Sequence, residues 1–209
     1  MGGTLILSRF ILAILLFALP VYAESVRRIE FVHVADGATM PRGEVRRVVG
    51  EVRKAYSSLK LDRFGAAIRW GRLRTVRLNL GAYSVDKRLQ YAYRLARRLR
   101  SRLPVYVFIP MSSDGYSWGV CFNRAFAVGV ATSVNLRGER RFWQGATTAV
   151  HEIGHMLGVS HDDSSANVMH SDALRFVTDF IPPFPWWFRD MVLWFGFGVD
   201  ICKFPEGRC

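Results

Sequence analysis

The stretch His151-Glu152-Ile153-Gly154-His155-Met156-Leu157-Gly158-Val159-Ser160-His161 decides how this chain is read. It closes a segment in which Phe142, Ala146, Ala149, Val150, Ile153 and Leu157 recur at helical spacing, so the sequence predicts a helix from about Phe142 to Leu157. His151 and His155 stand one turn apart and project from one face of that helix. Gly158 is suited to stop the helix in a left-handed conformation, and the reversal lets His161 swing back towards the pair. Two imidazoles four residues apart and a third after a turn form a ligand set for zinc, with one position left open for chemistry. Glu152 adjoins the first histidine, close enough to reach a water without being a ligand, and is the candidate general base. The pattern fixes five positions, and a chance match in a chain of this length and composition is on the order of one in a hundred thousand. Four of the five histidines lie between residues 151 and 170, which a scatter of surface histidines does not explain.

Upstream the sequence alternates between strand and helix patterns. Ile29 to Val34 reads as a first strand. After Pro41, placed where a first helical turn tolerates proline, Val45, Val48, Val49, Val52, Tyr56 and Leu59 mark a helix. Val76, Leu78 and Leu80 alternate with Arg77 and Asn79 as a half-buried strand. Ser84 is a candidate N-cap for a second helix carrying Leu89, Ala92, Ala96, Leu99 and Leu103. Arg88, Arg94, Arg97, Arg98 and Arg102 read as its wet faces. Pro104 ends it, and the apolar run Val105 to Ile109 predicts a central strand covered on both sides. Tyr116 to Phe122 and Ala125 to Val134 are further strand candidates. The order predicts an α+β fold with a mixed sheet.

The 209 residues, half of them hydrophobic, suffice for one core, and the composition argues against disorder. Residues 1–23 combine Arg9, the apolar run Phe10 to Leu19 and Val21-Tyr22-Ala23, the pattern of a removable signal peptide. An uncleaved N-terminal anchor is the alternative. Both place residues 24–209 outside the cytoplasm, secreted or extracytoplasmic. The net charge of +12 is supplied almost wholly by arginine, which sets solubility and association rather than chemistry. Nucleic acid is not the expected partner of an exported chain. Cys121, Cys202 and Cys209 allow at most one intramolecular disulfide, and spacing does not choose the pair. Phe180 to Phe204 is rich in tryptophan and phenylalanine. It reads as packing for a second lobe, with peripheral membrane contact as the alternative.

The motif from His151 to His161 resembles the zinc signature of the metzincin peptidases. Asn167-Val168-Met169 is similar to their Met-turn, in which a methionine lies beneath the metal. The spacing of Met169 from His161 is most similar to the matrixin branch, and Asp162 is reminiscent of the adamalysins. The resemblance implies a single domain over 24–209. Its upper lobe, about 24–158, would carry a twisted mixed sheet, two helices and the active-site helix. A small lower lobe, about 159–209, would follow the last ligand. It also implies that an edge strand before the active-site helix aligns an extended substrate, for which Ala125 to Val134 is the candidate, and that Phe176 to Ile181 supplies pocket residues. Where some of the family carry a tyrosine after the Met-turn, Ser171 stands instead. No cysteine-switch motif and no calcium loop are recognised.

The sequence therefore points to an exported zinc endopeptidase acting on protein or peptide. His151, His155 and His161 would hold one catalytic zinc ion, and Glu152 would move the proton. Two alternatives compete with it: a weak or inactive binding module on the same fold, and a membrane-surface protein with structural zinc.

Overall fold

The computed structural model describes residues 25–35, 41–79, 84–99, 104–111, 118–123, 126–132 and 139–198. The candidate signal segment, Cys202 and Cys209 lie outside these residues. Apolar runs pair as a five-stranded mixed sheet in the order β2-β1-β3-β5-β4. These strands are β1 (Ser25–Ala35), β2 (Ala66–Arg77), β3 (Val105–Met111), β4 (Trp118–Asn123) and β5 (Phe126–Thr132). β2, β1, β3 and β5 run parallel, and β4 adds antiparallel to β5. The parallel steps are bridged by α1 (Arg42–Ser57) between β1 and β2 and by α2 (Val85–Leu99) between β2 and β3.

Alternation along β1 and β3 divides the core between the two faces of the sheet. Ile29, Phe31, Tyr106 and Phe108 face α1 and α3 (Glu139–Met156), where Val45, Val48, Val49, Val52, Ala146, Val150 and Ile153 are buried. Val32, Val34, Val105, Val107 and Ile109 face α2 through Ala92, Tyr91 and Leu95. Ser84 caps α2 as predicted, its hydroxyl oxygen accepting from the Lys87 N–H at 3.4 Å.

Three expectations are corrected. Ala125 to Val134 is not the edge: β5 lies between β3 and β4, so the edge strand on this side is Trp118–Asn123. The strand read around Val76 and Leu78 begins far earlier, at Ala66, and ends at Arg77, before Leu78; Leu80 lies outside the described residues. Arginines Arg69, Arg72, Arg74 and Arg77 disguise it, because β2 is an edge strand with exposed positions. Arg88 is not a wet-face arginine. It is buried, and its guanidinium donates to the Pro110 carbonyl at 2.9 Å, joining α2 to the end of β3.

After Gly158 the chain continues through short turns, α4 (Phe188–Met191) and a π-helical turn, Val192–Phe197. Val159, Val168, Met169, Phe188, Val192, Leu193 and Phe197 join the same hydrophobic core as α1 and α3. Half of the aromatic tail is thus packed, whereas Phe180, Trp186, Trp194 and Phe195 are exposed. Among the described residues no helix is long and apolar enough to cross a membrane.

Candidate metal centre

The local sequence explains how the site is built. α3 ends in a glycine-terminated hydrogen-bond pattern: Gly158 N–H donates to the His155 carbonyl at 2.9 Å and Val159 N–H to the Gly154 carbonyl at 3.0 Å. Gly158 has φ 91°, which a side chain would oppose. This turn brings His161 to the pair on the helix. The Nε2 atoms of His151 and His155 are 3.0 Å apart, those of His151 and His161 3.2 Å, and those of His155 and His161 3.1 Å.

The contact between His151 and His155 is not a hydrogen bond. His151 Nδ1 donates to the Val168 carbonyl at 2.8 Å, and His155 Nδ1 donates to the Val159 carbonyl at 2.7 Å. A carbonyl only accepts, so both rings carry their proton on Nδ1 and turn a lone pair inward at Nε2. Two lone pairs that converge beside the Nε2 of His161 suit a cation. Nitrogens about 2.0–2.1 Å from one tetrahedral zinc are roughly 3.4 Å apart, close to the observed triangle. The three histidines form a site suited to one zinc ion. Burial, and then the neighbouring rings, hold His151 down at about 4 despite the opposing Val168 contact; burial likewise lowers His155. Both rings are therefore neutral, as ligands must be.

Glu152 is buried, and among the described residues its Oε2 has no hydrogen-bond partner. Burial pushes its carboxyl up to about 7. The phenols of Tyr56 and Tyr106, raised by their own burial, are raised further by the Glu152 charge. Tyr56 also donates to the Val150 carbonyl at 2.8 Å, tying α1 to α3 one residue before His151.

Met169 is fully buried against the helix. Gly154 makes room for it, since a Cβ there would lie 2.7 Å from the Met169 sulfur. Asn167 Oδ1 accepts the Met169 N–H at 2.7 Å, and its amide donates to the Asp162 carbonyl at 3.0 Å. Asp162 N–H donates to the Met169 carbonyl at 3.0 Å, and Asp163 accepts the Ser171 N–H at 2.7 Å. Asp162 and Asp163 are thus loop closers. Sequence reasoning passed over Gly154, Val168 and Val159. An asparagine two residues before a buried methionine is a turn signal, but the carbonyl partners of the histidines left none. His170 stands outside the triangle and accepts the Asp172 N–H at 2.9 Å. Phe180 and Ile181 line a groove whose lining includes none of the metal-site residues.

No protein-family profile matches the chain, and no curated protein matches it in sequence. Its fold does match solved structures of zinc peptidases. An archaemetzincin from Methanopyrus kandleri aligns at TM-score 0.55 and 18% identity, over 83% of this chain and 96% of that one. Metalloproteinase-II from Bacteroides fragilis aligns at TM-score 0.52 and 14% identity, over 81% of this chain. The chain spans about half of that protein, 53% of its length. An archaemetzincin from Archaeoglobus fulgidus, complexed with malonate, aligns at TM-score 0.51 and 20% identity, over 78% of this chain and 99% of that one. The mixed α+β fold is that of zinc metallopeptidases. The matrixin branch gains no support, because the likeness is to other zinc peptidases and at these identities carries the fold alone.

Proposed function

We propose that the chain is an exported zinc-dependent endopeptidase of metzincin type, with His151, His155 and His161 as ligands and Glu152 as general base. The observation that carries this reading is the triangle of inward Nε2 atoms beside a buried carboxylate with one oxygen that has no hydrogen-bond partner among the described residues. When bound, zinc supplies Lewis acidity to the scissile carbonyl and makes water a competent nucleophile near neutral pH. Glu152 takes the proton of the attacking water and passes it to the leaving amine as the C–N bond breaks. β4, last in the order of the described strands, is suited to pair with the backbone of an extended protein or peptide substrate.

The N-terminal apolar run supports export, which N-terminal sequencing of the released protein tests. The catalytic assignment is tested by digestion of a denatured protein. Cleavage is expected to stop in chelator and to return with zinc. Glu152→Gln is expected to bind zinc normally and lose about 10²–10⁴-fold in rate. Cleavage indifferent to chelator would overturn the zinc mechanism, and an active Glu152→Gln the assignment of the base.

A further inference from the structure

A groove of about 850 Å³ lies between the C-terminal end of α1 and residues 180–190. None of His151, Glu152, His155 or His161 lines it. Its volume is that of a site for a small ligand or a few peptide residues. One wall is Phe180-Ile181-Pro182-Pro183-Phe184-Pro185, in which the prolines restrict the backbone and remove donors. Phe180 and Trp186 stand out from it, 58% and 74% exposed.

The opposite side is cationic. Lys54, Lys60, Arg63 and Arg189 line the groove against only two carboxylates, Glu51 and Asp190. Those two pair with Lys54 at 3.6 Å and with Arg189 at 3.0 Å, and among the described residues the lining carries more cations than carboxylates. Lys60 has φ 50° and ψ 46°, the left-handed region that glycine or asparagine fills at lower cost. An exposed lysine kept in a strained position at the mouth of a cationic groove points to a use for its charge. The wall is also linked to the metal centre. The Pro183 carbonyl accepts the Val168 N–H at 2.9 Å, and the Val168 carbonyl accepts from His151 Nδ1.

We infer that this groove docks an acidic peptide segment in extended form. Its carboxylates meet the Lys60 side of the groove, and an apolar side chain packs between Phe180 and Trp186. The concavity favours a peptide over a bilayer surface, and proline-walled, aromatic-rimmed grooves suit extended chains. The excess positive charge selects acidic sequences. The site does not depend on the peptidase reading, because no metal-site residue enters it.

The test is calorimetric titration of the full chain with acetyl-Glu-Phe-Glu-Leu-Glu-amide and with the same peptide carrying glutamine for each glutamate. Saturable binding is expected, weaker by about tenfold or more for the glutamine peptide. Lys60→Gly is expected to weaken binding while leaving the thermal midpoint unchanged or raised, since glycine relieves the backbone. Trp186→Ala is expected to weaken it as well, and chelator is expected to leave it intact. No saturable binding, equal affinity for the two peptides, or indifference to both variants would overturn the proposal. So would loss of binding in chelator, which would move the ligand to the metal centre. Adsorption to phosphatidylcholine–phosphatidylserine vesicles that both variants abolish, without peptide binding, would assign the surface to membrane and equally overturn it.

Discussion

Glu152 and the histidines beside it carry opposite consequences of one burial. A neutral imidazole is tolerated in an apolar site and a carboxylate is not, so burial lowers His151 to about 4 and raises Glu152 to about 7. For Glu152 the folded pKa lies above its ordinary 4.5, so the stability linked to the protonated form is present below pH 4.5 and lost as pH rises through 7. In metal-free protein, Glu152→Gln should therefore stabilise the fold more at pH 8 than at pH 5, as thermal melts in chelator would report. A variant whose midpoint tracks wild type at both values would show that Glu152 is solvated. For His151 the folded pKa lies below 6.5, so its contribution is present above pH 6.5 and lost as pH falls through 4. The ligand role has its own check. His155→Ala, leaving two of three nitrogens, should hold no stoichiometric zinc after dialysis, by metal analysis of the folded variant.

At the scale of elements, the end of α3 matters most. Its glycine turn is what converts a helix bearing two histidines into a three-point site, and Gly158 holds φ 91°. Gly158→Ala should cost about 1–2 kcal/mol in denaturant unfolding and weaken zinc binding by displacing His161. Gly50 in α1 provides the contrast, since a Cβ there meets nothing within 4 Å and the residue is exposed. Gly50→Ala should stabilise by about 0.5–1 kcal/mol and leave zinc affinity alone. If the two substitutions moved stability in the same direction, backbone conformation would not be the cause. The tie from Tyr56 to Val150, and the carbonyls of Val168 and Val159 behind two ligands, show elements distant in sequence holding the helix end in place.

Across the whole molecule, β1 is bonded to the far end of the chain. Arg27 Nε donates to the Gly196 carbonyl at 2.7 Å, and Ser25 Oγ donates to the Phe197 carbonyl at 3.1 Å. The segment after Gly158 shares one hydrophobic core with the sheet and α1, so the metal joins two stretches of a single packed body. Zinc bound only by the folded state adds about 4 kcal/mol when present at a thousand times its dissociation constant. Chelation should then lower the thermal midpoint by roughly 8–16 °C. A midpoint insensitive to chelator in zinc-loaded protein would place the ion outside the folded core.

The sequence by itself determined whatever depends on neighbours a few residues apart. Histidines at 151 and 155 share a face because a helix turns every 3.6 residues, and Gly158 stops that helix because only glycine takes the turn freely. The helices α1 and α2 and the central strand were readable from periodicity for the same reason. Sheet order was not. Whether β4 or β5 forms the edge depends on pairing between distant segments, and the arginines of β2 hid a strand whose exposure follows from its place at the opposite edge. Tertiary structure alone buried Arg88 against Pro110, chose the carbonyls that orient His151 and His155, and left Glu152 Oε2 without a partner among the described residues. It also gathered Lys60, Phe180 and Trp186 around one groove. Local geometry chooses which atoms a site offers; long-range packing sets their solvation and aim, and with them the chemistry they can perform.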